Sequence, residues 1–176
     1  MVSLRAMIEE YKGIRPKIHP SVFVEESAQV IGDVEIGEDS SVWFHVVIRG
    51  DVHSIRIGRR TNIQDGSLLH VTRMKFPLIL GNEITVGHGV TLHGCVIKDR
   101  CLIGMRAVLL DGAQIGEESI VGAGALVTEG TMIPPRSLAY GLPARVVRPL
   151  TDEEVAQIRH SAENYVLLAR DYRKRG

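Results

Sequence analysis

An aliphatic residue at nearly every sixth position constrains this chain more than any other feature. From Ile18 the series runs through Val24, Val30, Ile36, Val42 and Ile48. After three extra residues it resumes at Ile57, Ile63 and Leu69, and after five more at Leu80, Val86 and Leu92. One step is a residue short, and Ile97, Ile103, Leu109, Ile115, Val121, Val127 and Ile133 then follow. Two positions before most of these stands a small or β-branched residue, such as Ala28, Ser40, Thr61, Val90, Ala107 or Ala125. A six-residue unit is too short for a helix pair and suits one short strand plus a corner. Three units close a triangular coil, and stacked coils bury one continuous aliphatic ladder. The nineteen ladder positions therefore predict a parallel β-helix of about six coils. Glycine often follows the ladder residue directly, as at Gly37, Gly58, Gly104 and Gly122, where it is expected to turn the chain at low steric cost.

The pattern changes at Thr151. "TDEE" forms a capping box, with Thr151 as N-cap and Glu154 three residues on. Val155, Ile158, Ala162, Tyr165 and Leu168 or Ala169 recur at helical spacing, predicting an amphipathic helix to about Arg170. The expected division is a hexapeptide-repeat unit with its lead-in over 1–150 and a helix packed on it over 151–176. Lysine plus arginine equals aspartate plus glutamate at 21 each, so charge gives no reason to expect a nucleic-acid or membrane-surface partner. No apolar run approaches the ~18 residues of a membrane span. The N-terminal "MVSLRAMIEEYKG" carries acidic residues where a signal peptide needs an apolar core, and two cysteines make no disulfide framework. A cytoplasmic protein is expected, with Cys95 and Cys101 as small packing residues on consecutive faces.

Counting units places side chains in columns. Ile48, Leu69 and Leu92 stack on one face, so the residues after them, Arg49, His70 and His93, form one column at the ~4.8 Å spacing of neighbouring strands. Neutral imidazoles one coil apart can converge on one metal ion, with Zn–N distances of ~2.0–2.1 Å. Asp65 and His88 form a second column on the preceding face. His88 cannot obviously point at the same ion within its own chain. A closed three-fold packing would let His88 of one molecule meet His70 and His93 of its neighbour, and the spacing alone leaves that open.

The segments "VVIRGDV", "TNIQDGSLLHV" and "VGHGVTLHGCVIKDRCLIGMRAVLLDGAQIG" resemble the γ-class carbonic anhydrase family over roughly residues 12–170. The resemblance implies a left-handed β-helix homotrimer with three metal sites at subunit interfaces. It implies His70 and His93 of one subunit and His88 of the next as ligands, with Zn2+ bound and Fe2+ or Co2+ as alternatives. It further implies that Arg49 and Asp51 bridge subunits near the bicarbonate site, and that Gln64 bonds the metal-bound water. Asp65 would orient substrate or that water, with Asn62 and Tyr140 as supporting residues. The implied reaction is attack of metal-bound hydroxide on carbon dioxide to give bicarbonate. The best-known active members of that family carry a glutamate after "RGD" and an acidic loop after the first histidine. Here Val52 follows Asp51, and "VTRMKFPL" after His70 has no carboxylate, so slow or buffer-assisted hydration is expected. The alternatives are a non-catalytic metal-stapled trimeric scaffold, or an acyl-CoA transferase or thioesterase on the same fold.

Overall fold

A computed structural model describes residues 7–174. The first six residues of the expected 1–150 unit and the last two of 151–176 lie outside the described residues. The chain winds as a parallel β-solenoid with three faces. On the first face Leu92 lies between Leu69 and Leu109; on the second, Ile97 lies between Leu80 and Ile115; on the third, Val86 lies between Ile63 and Ile103. Strands Gln29–Ile36 and Val47–Ile57 run unbroken through the corner between the first two faces and join them into one sheet. The third face is an eight-stranded sheet whose last strand, Ala144–Pro149, folds back antiparallel, leaving seven parallel rungs among the described residues.

There are thus seven coils rather than about six. The two rungs that the repeat does not mark are Ile8, paired with Val30, and Ala139, paired with Val121. Ladder residues from Val30 to Ile133 are buried, and so are the residues two positions earlier from Ala28 to Ala125, including Cys95 and Cys101. Burial pushes both thiols up to about 12, so they remain neutral packing groups at physiological pH.

The glycines that follow ladder residues do not supply the turns. A Cβ on Gly58 would stand 2.4 Å from the Gly81 carbonyl oxygen, and one on Gly104 the same distance from the Ala123 nitrogen. These positions stay bare because the next coil passes too closely. The left-handed turns at one corner belong instead to Asp39, Arg60, Glu83, Arg100, Glu118 and Arg136, with φ from 53° to 57°. Their charges alternate from coil to coil.

That charged corner seats the C-terminal helix, α1 (Asp152–Arg173). Arg170 pairs with Asp39 at 3.0 Å, Glu163 with Arg60, Arg159 with Glu118 at 2.7 Å and Asp152 with Arg136 at 2.5 Å. Exposed pairs contribute little stability each, but their alternation fixes the register of the helix. The expected capping box is present, with Thr151 and Glu154 satisfying each other's backbone N–H groups. Val155, Ile158, Ala162, Val166 and Ala169 face inward, so Ala169 rather than Leu168 takes the last apolar position. Val155 and Ile158 pack with Leu102, Ile120 and Leu138 on the third face. Tyr165 and Tyr172 meet the buried Trp43 edge-on at 5.5 and 5.1 Å between ring centroids. No helix among the described residues is long and apolar enough to cross a membrane.

Candidate metal centre

The first face presents His70 and His93 outward from directly paired positions of adjacent strands. Inward-pointing Leu69 and Leu92 are fully buried, so alternation along the strand fixes both imidazoles on the outer surface. His70 Nδ1 and His93 Nε2 lie 3.1 Å apart. Two nitrogens bound tetrahedrally to one ion at ~2.0–2.1 Å would be ~3.3 Å apart, so the spacing suits a shared cation. The far ring nitrogens are occupied by carboxylates: His70 Nε2 lies 3.0 Å from Asp51 Oδ1, and His93 Nδ1 lies 2.7 Å from Asp111 Oδ1. Metal-ligating histidines typically carry such a partner on the nitrogen away from the ion. The donor set therefore fits a divalent metal.

The electrostatics favour the same protonation states. Burial raises the Asp51 carboxyl, but hydrogen bonds from His70 and Arg49 outweigh it and hold the group below the usual carboxylate range. Arg49 Nη1 donates to the other Asp51 oxygen at 2.5 Å. For His70, burial is the largest influence and lowers the pKa, and Asp51 pulls the other way without reversing it. The imidazole is neutral at pH 7, with a lone pair to offer.

His88 stands in the Asp65 column of the third face's edge. Its Nδ1 lies 2.9 Å from Asp65 Oδ2 and its ring is half exposed. Within one chain, no group of three or more His, Cys, Asp or Glu side chains among the described residues could hold a metal ion. Arg49, Asp51, His70 and His93 come together, and Asp65 and His88 form a separate pair. Gln64 is buried and donates through Nε2 to Asn62 Oδ1 at 3.1 Å. Asn62 in turn donates to Thr85 Oγ1 at 3.0 Å, and Thr85 meets Ser161 of α1 at 3.2 Å. This buried chain of hydroxyls and amides ties the Gln64 amide to the helix. Tyr140 does not join any of these groups. It is exposed on the last parallel strand of the third face, four rungs from Asn62 and Gln64.

Asp111 and its partner Thr72 were not among the residues singled out from the sequence. Gly94 follows His93, and Asp111 sits one coil on from Gly94, a position that extending the histidine-face count by one coil would have reached.

Comparison with known proteins gives four relationships of note. The bacterial transferase hexapeptide family (six repeats) matches residues 15–50 and 94–129, and such repeats fit a left-handed β-helix. The chain is 48% identical over 160 residues to a carbonic anhydrase of Geobacillus kaustophilus, spanning 91% of this chain and 87% of that one. It is 48% identical over 159 residues to the mitochondrial gamma carbonic anhydrase 1 of Arabidopsis thaliana, spanning 88% of this chain and 58% of the longer plant protein. Among solved structures, a Bacillus cereus protein described provisionally as an acetyltransferase superposes with a TM-score of 0.96 at 46% identity, covering 98% of this chain and 99% of that one.

Proposed function

This chain belongs to the γ-class carbonic anhydrase family, and from that premise we propose that it hydrates carbon dioxide reversibly to bicarbonate. The site requires a divalent cation, zinc in the first instance with iron(II) or cobalt(II) as alternatives, held where the subunits of a homotrimer meet. The observation that carries this reading is the 3.1 Å approach of His70 Nδ1 to His93 Nε2, each ring backed by a carboxylate. His88 of the partner subunit supplies the third imidazole. Its Asp65 contact holds Nδ1 and leaves Nε2 to ligate, which makes Asp65 a positioning residue for His88.

Held by three imidazole ligands, which bring no negative charge, a divalent ion would keep its full double charge and would supply the acidity a water needs to react near neutral pH. The side chains do the rest. Arg49, anchored on Asp51, directs its positive charge toward the oxygens that become anionic as bicarbonate forms. Gln64 spends an amide N–H on Asn62, which orients its carbonyl oxygen as a fixed acceptor for a water hydrogen. Each hydration also releases a proton that must reach solvent. Val52 and the segment 71–77 offer no carboxylate to carry it.

Hydration is therefore expected to be slow in non-titrating medium and to rise with imidazole concentration as buffer takes over the transfer. Stopped-flow assays on the metal-loaded protein check this. Absence of hydration at every imidazole concentration would overturn the proposed function.

A further inference from the structure

Asp111 reaches His93 by an arrangement that involves three separate parts of the chain. Gly94 lies beside it, and a Cβ there would stand 2.3 Å from Asp111 Oδ1 and 2.7 Å from Phe76 Cβ. The missing side chain is thus the opening through which the carboxylate touches the imidazole. The segment after His70 closes over this opening. Its Thr72 and Phe76 are bridged in a tight turn, and Thr72 Oγ1 donates to Asp111 Oδ2 at 2.6 Å. One carboxylate oxygen therefore faces Thr72 and the other faces His93, and the side chain is only 18% exposed.

We propose that Asp111, held by Thr72, is the positioning residue that fixes the tautomer of His93 for metal binding. An ionised carboxylate only accepts hydrogen bonds. With Oδ1 against Nδ1, the His93 hydrogen must sit on Nδ1, and Nε2 presents a lone pair toward His70 Nδ1. Thr72 donates to Oδ2, so the carboxylate is held with Oδ1 left as the acceptor that faces the ring. Asp111 then does for His93 what Asp51 does for His70 and Asp65 for His88. The segment that lacks a proton-carrying carboxylate supplies through Thr72 the clamp that aims one.

The role in metal binding rests on the proposed function; the tautomer does not. Asp111→Asn keeps the shape and can still accept from Thr72, but its amide turns an N–H toward His93 Nδ1. The ring must then carry its hydrogen on Nε2, where it blocks ligation. Imidazole 15N NMR on the metal-free, full-length protein should show the Nδ1–H form of His93 in the wild type and the Nε2–H form in the variant. Cobalt(II) affinity, read by chelator competition, should fall about 10–100-fold. Thr72→Val, which retains the Asp111–His93 contact, should keep the Nδ1–H form and lose less affinity. If Asp111→Asn does not fold, unchanged cobalt affinity in Thr72→Val overturns the clamp. The same tautomer and the same affinity in Asp111→Asn and wild type would overturn the proposal. A wild type that shows the Nδ1–H form but binds no cobalt would overturn the metal role together with the proposed function, leaving the tautomer assignment supported.

Discussion

His93→Ala and His88→Ala are each expected to lose bound metal and carbon dioxide hydration almost entirely, yet to restore both when their chains are assembled together. The reason is geometric. His70 and His93 share one face of a chain, while His88 sits beside Asp65 on another. In the proposed trimer, a complete site takes its first two ligands from one subunit and its third from the next. In a mixed ring, a site is whole wherever a His88→Ala chain, with its own His70 and His93 intact, is followed by a His93→Ala chain that still carries His88. Random assembly of equal amounts into closed trimers makes this so at about one quarter of interfaces. Every mixed trimer has one such interface among its three, so co-expression with two affinity tags, followed by metal analysis and hydration assay of the doubly tagged fraction, should recover about one third of the wild-type value. No recovery would mean that the two residues serve one site within a chain, or no site at all. The single variants should stay folded, because neither imidazole belongs to the core.

Leu109→Ala is expected to cost about 2–5 kcal/mol of stability, the range for removing a fully buried leucine side chain. Leu109 is 0% exposed and is paired between Leu92 below and Val127 above. In a solenoid each coil rests only on its neighbours, so a gap in one rung weakens both of its interfaces. The surrounding coils are pinned by backbone hydrogen bonds on all three faces, which limits collapse into the cavity. Urea denaturation should show the shift, whereas Leu168→Ala on the half-exposed side of α1 should move the midpoint little. A loss below about 1 kcal/mol for Leu109→Ala would mean that the interior is far more deformable than close-packed cores are.

The ladder was legible because a buried period of six leaves little freedom in the choice of residue. Every ladder position from Val30 onward is in the core, and the column argument placed His70 opposite His93 as found. The coil count ran short because Ile8 and Ala139 end the stack without repeats around them. The turns were misassigned for a physical reason. The glycines directly after ladder residues are claimed by the close approach of neighbouring coils; the left-handed turns at one corner fall to charged residues, several of which pair with α1, while glycines such as Gly66, Gly89 and Gly112 take left-handed turns elsewhere. Asp111 stands within reach of the coil count, one coil on from Gly94, but its partner Thr72 lies in the segment 71–77, which follows no period. The same count placed Asp65 and His88 in one column, and their side chains meet there, with His88 Nδ1 2.9 Å from Asp65 Oδ2. Tyr140 came only from the family resemblance; its rung lies far from Gln64 within the chain, and no periodicity argument links them.

The most direct measurement is metal content and carbon dioxide hydration on the same anaerobically purified, full-length protein, loaded with zinc or iron and assayed with imidazole present. The account predicts about one ion per chain, the stoichiometry of one site per interface in a closed trimer, together with hydration that rises with buffer. Full metal occupancy with no hydration in any buffer would contradict it, and would make the histidine site a staple between subunits or a centre for other substrates.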